Sequence, residues 1–255
     1  MDRMPVLFVG HGSPMNAIED NPFSEYWKTL SDKIPHPKAI LSVSAHWFTR
    51  GLRVCDAPLP SLIYDMYGFP DELYQVLYPV RGSHKYAHIA KGLIGEKIEI
   101  DNSWGIDHGT WSVLRRVYPD ADIPVFQISV NASASAQEHY ETGQKMRELR
   151  NEGVLIFGSG NIVHNLSRVN WNMSDGYAWA EDFDGYIKKS ILAGNDDNVI
   201  NYRRAGSSAS HAFYLLDHYA PLLYVLGAKD ESDSATVFND ACVLGSISMT
   251  GYLFS

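Results

Sequence analysis

The chain has 255 residues, of which 45% are hydrophobic and 12% are aromatic. This length and composition can bury one sizeable core, and we expect residues 1–255 to form a single domain. The 30 acidic and 21 basic residues give a formal net charge of −9, which argues against nucleic acid and anionic membranes as main partners but leaves a small anionic substrate possible.

Short apolar runs alternate with helix-like segments along the chain. Strands are predicted at 6–10, 39–45, 97–100, 123–130, 154–157 and, as a strand or hairpin, within 243–254. Helices are predicted at 21–30, 83–95, from the Ser135–Glu138 capping box to before Gly153, at 177–193 and at 217–226. This order predicts an α/β fold with a mostly parallel central sheet, helices on both faces and a possible antiparallel edge strand.

Residues 56–82 are rich in Pro, Gly and Tyr and predict a long loop with a short helix near 71–74. Loops of that length are usually functional or poorly ordered. The aromatic residues of 64–78 are suited either to stacking on a substrate ring or to core packing, and the sequence leaves both open.

Cysteine usage and the chain start predict a cytoplasmic protein. Cys55 and Cys242 lack metal-ligand spacing, so we expect two reduced thiols. No charged region followed by a long apolar stretch opens the chain, so no signal peptide is expected. No apolar run approaches ~18 residues, so no membrane span is expected.

Four histidines occupy positions suited to a shared site. His11, His46 and His164 each follow an apolar run that predicts a buried strand, and His218 lies in the first turn of a predicted helix. In an open α/β sheet the ligand site lies beyond the carboxyl ends of the strands, and imidazole is the commonest protein metal ligand. We therefore predict that His11, His46 and His218 share a metal ion, with His164 as a general base or an additional metal contact. His108, in the aromatic- and Gly-rich segment 104–111, is a candidate hydrogen-bond donor to developing negative charge.

The remaining histidines have plainer interpretations. His84 and His88 are four residues apart and mimic a metal pair, but their helix is polar and a solvated face is expected. His36 is expected on a surface loop and His139 on the exposed side of its helix. The role of His211, and of the segment 206–216 around it, stays open.

Two short motifs carry weak signals. Gly158-Ser159-Gly160 is compatible with a phosphate cradle, but no Walker or dinucleotide pattern accompanies it. Ser13 follows His11 closely, yet no Gly-x-Ser-x-Gly nucleophile elbow is present.

Five blocks together resemble a known family. They are Gly10-His11-Gly12-Ser13-Pro14-Met15, Ser44-Ala45-His46-Trp47-Phe48, Trp104-Gly105-Ile106-Asp107-His108-Gly109-Thr110-Trp111, Gly160-Asn161-Ile162-Val163-His164-Asn165 and Asp217-His218-Tyr219-Ala220-Pro221-Leu222. In this order they resemble the DOPA-type extradiol ring-cleavage dioxygenases of the class III (protocatechuate 4,5-dioxygenase catalytic-subunit) superfamily, over nearly the whole chain from Pro5.

The resemblance implies a role for each motif histidine. His11 and His46 would bind the metal, and His218 would be the third ligand where the wider superfamily has glutamate. His164 would be the base, or would contact the metal in a substrate-free site, and His108 would contact substrate or oxygen. The implied activity is Fe(II)-dependent extradiol cleavage of a catechol, DOPA or a related catecholic acid, with O2, in a monomer or small homo-oligomer. Zn(II) can occupy such a site.

Two other functions stay compatible with the histidine pattern. Three histidines also suit Zn(II), which lowers the pKa of bound water to about 7, so a zinc-dependent hydrolase or lyase is the alternative enzyme. A non-catalytic protein that binds a metal or small molecule on the same scaffold is the third.

Overall fold

The computed structural model describes residues 3–255. Its strands are β1 (Val6–Gly10), β2 (Ala39–Thr49), β3 (Leu52–Val54), β4 (Ile98–Ile100), β5 (Val125–Asn131), β6 (Val154–Gly160), β7 (Ala235–Phe238), β8 (Cys242–Val243), β9 (Ile247–Ser248) and β10 (Gly251–Phe254). Its α-helices are α1 (Pro22–Lys28), α2 (Asp71–Tyr74), α3 (His84–Ile94), α4 (His108–Val117), α5 (Ala136–Met146), α6 (Ala178–Leu192), α7 (Asp196–Ile200), α8 (Ala209–Ala212) and α9 (Ala220–Ala228).

In the described part of the chain, one sheet of eight strands organises the fold, in the order β4-β3-β5-β2-β6-β1-β10-β7. The central strands β5, β2, β6 and β1 are parallel. β10 pairs with β1 antiparallel, and β7 pairs antiparallel with β10 at the edge. The predicted α/β fold with a mostly parallel sheet and an antiparallel element beside it is therefore confirmed. The C-terminal strand is not itself the edge, because β7, which the sequence did not predict, lies outside it.

Each face of the sheet carries its own apolar layer. Along β1, Val6 and Phe8 join one hydrophobic cluster, whereas Leu7 and Val9 join the other. The first cluster includes residues of α3, α5, α6 and α9, and the second includes residues of α1 and α4. Because successive strand residues point to opposite faces, strands covered on both sides read as continuous apolar runs, which is how the sequence revealed them.

Several predicted boundaries differ from the structure. The capping box of α5 is present, but the helix ends at Met146 and continues as a short 3-10 helix to Arg150. The helix predicted at 217–226 begins only at Ala220, so His218 precedes it and is not in its first turn. α4 was not predicted, because its Gly- and Trp-rich sequence lacks a clear helical period.

Candidate active site and metal centre

Three histidines converge at the carboxyl ends of the parallel strands. His11 follows β1, His46 lies in β2 and His218 precedes α9. Their ring centroids are 5.0 Å (His11–His46), 5.4 Å (His11–His218) and 5.0 Å (His46–His218) apart. One ligand atom from each ring lies within 4.8 Å of the others. The structure thus brings together the three imidazoles that the sequence predicted to share a metal ion.

A bulge in β2 delivers His46 to this point. Val43 pairs with Ile128, and Phe48 pairs with Val130, so the segment between them on β2 is longer than its partner segment on β5. Extra residues in one strand bend it and redirect their side chains. The predicted strand end at His46 was therefore wrong, because β2 continues past the bulge to Thr49.

Glycines allow the backbone segments that carry His11 and His218 to reach this point. Gly12, next to His11, has a φ of 60°, which disfavours residues with a Cβ. A Cβ added at Gly160 in β6 would collide with the backbone oxygen of His218. That oxygen accepts a hydrogen bond from the Asn161 N–H at 2.8 Å. The motif Gly158-Ser159-Gly160 thus belongs to β6 and seats the His218 segment, rather than forming a loop around a phosphate.

Hydrogen bonds fix the ring tautomers of His11 and His46. Ser159 donates its hydroxyl proton to the Gly109 oxygen at 2.5 Å, so its Oγ accepts from His11 Nδ1 at 2.9 Å. His46 Nδ1 lies 3.0 Å from Oδ2 of Asp65, which can only accept. When both rings are neutral, both Nε2 atoms therefore present lone pairs, and they face each other at 3.2 Å. Burial lowers the pKa of His46, but the hydrogen bond to Asp65 outweighs it and raises the pKa, so a proton shared between the two Nε2 atoms also satisfies the pair. Two facing lone pairs in a buried site need a positive charge between them, and a metal ion fits that requirement.

His218 has the character of a third ligand. Both of its ring nitrogens are buried without a hydrogen-bond partner. Nδ1 is 3.3 Å from Asp217 Oδ1, but the pair lacks hydrogen-bond geometry. Buried polar atoms in native proteins normally have a hydrogen-bond partner. No protein group supplies one to these nitrogens, so a partner from outside the chain, such as a metal ion, is expected. Burial, followed by the neighbouring histidines, lowers the pKa of His11 and His218, which keeps both in the neutral form that binds metals.

Asp65 joins two histidines and was missed by the sequence reasoning. Its Oδ1 lies 3.0 Å from His108 Nδ1, while its Oδ2 bonds His46. Burial raises the pKa of Asp65, but the hydrogen bonds from His108 and His46 outweigh it and hold the pKa well below its usual value. The signal was a lone acid among aromatic residues, Tyr64-Asp65-Met66-Tyr67, inside the long loop.

His108 is the first residue of α4 and lies against His46 and His11. Its ring centroid is 3.8 Å from that of His46 and 5.9 Å from that of His11. Because Nδ1 donates to Asp65, Nε2 donates a hydrogen bond only when the ring is protonated. The pKa of His108 is lowered from its usual value. Burial is the largest cause and His46 the next, and together they outweigh Asp65, which acts to raise the pKa.

A buried carboxylate holds α4 against the sheet. Asp107 caps α4 by accepting from the Thr110 N–H at 3.3 Å. It also accepts from Ser44 Oγ of β2 at 2.6 Å, from Gln127 Nε2 of β5 and from Trp104 Nε1 at 3.2 Å. These bonds fix where the helix starts, and with it the position of His108.

His164 stacks on His218 instead of joining the three-histidine cluster. Its ring is 3.5 Å from that of His218, with an interplanar angle of 4°. The three-histidine cluster does not include it. Its backbone N–H donates to the Ala212 oxygen at 2.8 Å, so the previously unassigned segment 206–216 anchors it. Burial and then His218 lower the pKa of His164 well below its usual value, so the ring is neutral at pH 7.

The other histidines lie away from this centre. His84 and His88 face solvent and His36 is exposed, as expected. His139 was expected to be exposed but is 1% exposed, with both ring nitrogens unpartnered, because it packs against Tyr224 of α9 at 5.2 Å. His211 packs on Trp179 at 5.7 Å.

The aromatic residues of 64–78 divide between packing and exposure. Tyr64 packs on Trp111, with centroids 5.7 Å apart, and its hydroxyl donates to the Val76 oxygen. Tyr78 is buried, whereas Tyr67 is exposed. Core packing therefore accounts for Tyr64 and Tyr78.

Two further findings concern the cysteines and the length of the helices. Cys55 and Cys242 are buried free thiols. Among residues 3–255, no helix combines the length and the apolar composition that crossing a bilayer requires.

Comparison with known proteins agrees with the geometry of the site. The family described as "Catalytic LigB subunit of aromatic ring-opening dioxygenase" matches residues 5–255. The chain is 43% identical over 254 residues to "4,5-DOPA dioxygenase extradiol" of Escherichia coli (strain K12), covering 97% of this chain and 93% of that one. It is 36% identical over 257 residues to the protein of the same name from Beta vulgaris, covering 98% and 96%. The crystal structure of an uncharacterized protein from Escherichia coli K12 matches with a TM-score of 0.87 and 39% identity, over 99% of this chain and 100% of that chain. The chain therefore belongs to the catalytic LigB family of aromatic ring-opening dioxygenases, and it is a class III extradiol ring-cleavage enzyme.

Proposed function

We propose that this chain cleaves a catechol, DOPA or a related catecholic acid, with O2, at an Fe(II) ion held by His11, His46 and His218. The observation that carries the proposal is the pair of facing Nε2 atoms of His11 and His46, 3.2 Å apart, beside the unpartnered nitrogens of His218. When bound, Fe(II) would supply Lewis acidity and a path for electrons from catechol to dioxygen. The relatives named 4,5-DOPA dioxygenase extradiol support the substrate class.

In this proposal His164 is the general base. Burial keeps its imidazole neutral, and its ring lies against His218 without joining the ligand set. It accepts the proton of a catechol hydroxyl as the substrate enters. The segment containing Ala212 fixes its backbone and thus the direction of proton transfer.

In this proposal His108 interacts with dioxygen or with the substrate. Burial lowers the pKa of His108, so the resting ring is neutral with its Nδ1 proton donated to Asp65, and Nε2 accepts a proton first. In the imidazolium form, which Asp65 stabilises, Nε2 then donates to negative charge on oxygen or substrate. The same carboxylate orients His46, so one residue positions a metal ligand and a proton donor together.

The net charge and the free cysteines support a proposal for the partners and the cellular location. A net charge of −9 argues against nucleic acid as a partner, and two buried free thiols suit the cytoplasm. We propose a cytoplasmic enzyme, monomeric or a small homo-oligomer, that acts on a diffusible catechol.

An oxygen-electrode experiment tests the proposal. Metal-free protein is loaded anaerobically with Fe(II), mixed with L-DOPA or caffeate and exposed to air. Oxygen uptake together with a yellow ring-opened product is the expected result. No uptake across a panel of catechols, with turnover of esters or amides by the Zn(II) form, would instead establish a hydrolase.

A further inference from the structure

A second group of metal-ligand atoms lies outside the active site. His84 and His88 are one turn apart on α3, and Asp56 follows β3. Oδ2 of Asp56 is 3.1 Å from His84 Nδ1 and 2.9 Å from His88 Nε2. One ligand atom from each of the three residues lies within 4.8 Å of the others.

We propose that Asp56, His84 and His88 bind a divalent transition-metal ion of the Zn(II) class. Two imidazoles and one carboxylate form a donor set that such ions prefer, whereas Ca²⁺ and Mg²⁺ prefer oxygen donors. The side chains of His84 and His88 are 69% and 44% exposed. The remaining coordination positions therefore open to water.

The carboxylate is held in place by groups other than the histidines. Oδ1 of Asp56 accepts from Asn102 Nδ2 at 2.8 Å. Asn102 Oδ1 in turn accepts hydrogen bonds from the backbone N–H groups of Asp56 and Ala57, at 3.0 Å and 3.1 Å. The Asp56 side chain is only 11% exposed. Hydrogen bonds of this kind orient the ligands of metal sites, and they leave Oδ2 directed at the two histidines.

The position of the site suggests what the ion does. Asp56 begins the long loop between β3 and α3, and His84 follows the end of that loop. The two ends of the loop already touch, since the Gly82 N–H donates to the Pro58 oxygen at 2.9 Å. This loop carries Asp65, which bonds His46 and His108 in the active site. A metal ion at Asp56, His84 and His88 would tie the base of the loop and restrict the motion of Asp65.

Counting bound Zn(II) tests the site independently of any activity. Metal-free protein is titrated with Zn²⁺ in competition with a chromophoric chelator. Wild type and the exposed-histidine control His36→Ala are expected to bind two ions per chain, and His84→Ala and His88→Ala one. Each of these two substitutions should weaken the second site by about 100-fold or more, since losing a ligand exceeds the ~10–100-fold effect of losing an outer partner. His84→Ala and His88→Ala binding as many ions as wild type would overturn the proposal and leave only ion pairs between Asp56 and the histidines, whereas a wild type that binds a single ion lost in both variants would count against the active-site metal alone.

Limited proteolysis tests the effect on the loop. The second equivalent of Zn²⁺ is expected to slow cleavage within 56–83 about tenfold in wild type, because an ion that binds only the closed loop suppresses local opening. In His84→Ala the second equivalent should change nothing. Equal cleavage rates in wild type with one and with two equivalents would overturn the proposed tie at the base of the loop.

Discussion

Asp65 Oδ2 lies 3.0 Å from His46 Nδ1, so a loop residue fixes the tautomer of a histidine in the ligand cluster. We predict that Asp65→Asn weakens metal binding about 10–100-fold, because the amide can donate to Nδ1 and favours the wrong tautomer. The dissociation constant, measured by competition with a chelator, checks this. The exposed Asp122 supplies the control Asp122→Asn, and equal affinities for both variants would count against the role of Asp65.

His164 stacks on His218 but is not part of the ligand cluster. We therefore expect His164→Gln to retain the metal while kcat falls about 10²–10⁴-fold, the usual contribution of a general base. Metal content and kcat should be measured on the same preparation. Loss of the metal from this variant would show that His164 is a ligand and would contradict its assignment as the base.

Three neutral ligands make the proposed centre more positive than two histidines and a carboxylate would. We predict that His218→Glu weakens catechol binding about tenfold, or ~1.4 kcal/mol, because the added negative charge opposes a catecholate. Anaerobic titration of the Fe(II) protein with catechol measures the affinity. An unchanged affinity at equal metal content would refute this explanation of the third histidine.

Buried His139 makes stability depend on pH. Burial lowers its pKa to about 4 from the usual 6.5. Below pH 6.5 His139 is protonated in the unfolded chain, whereas in the folded chain it stays neutral down to about pH 4. The free energy of unfolding therefore falls as the pH drops from 6.5 to about 4, by up to about 3 kcal/mol.

His139→Phe removes that proton linkage while retaining most of the packing against Tyr224. The variant should therefore lose less unfolding free energy than wild type between pH 7.5 and pH 5. Urea unfolding at both pH values is the measurement, with exposed His36→Phe as the control. Parallel losses in wild type and His139→Phe would show that His139 is not the titrating group.

The positions of His11 and His46 could be predicted because each follows a short apolar run of the kind that favours a buried strand. The sheet brings such strand ends together regardless of distance along the chain. Asp65 could not be found in this way. Its partners come from β2 and α4, and its one local signal, an acid among aromatic residues, does not indicate bonds so distant in sequence.

His139 shows a different failure. The helix looked polar, yet His139, Gly143 and Met146 lie at i, i+4 and i+7 and are all buried. A Cβ at Gly143 would collide with the backbone of Tyr224, so α5 and α9 pack unusually closely. The narrow buried stripe consists of His, Gly and Met, which average hydropathy does not recognise as a core face.

The ligand cluster draws on both ends of the chain, since His11 follows the first strand and His218 precedes the last helix. During synthesis, His11 and His46 leave the ribosome well before His218. While the residues beyond about 210 are still inside the ribosome, the cluster lacks its third imidazole. Domains fold as units when enough of the chain has emerged, so we expect metal acquisition to follow the end of synthesis. The supply of the proposed metal in the cell would then act on finished protein, and a shortage would leave apoprotein that can still take up the metal later.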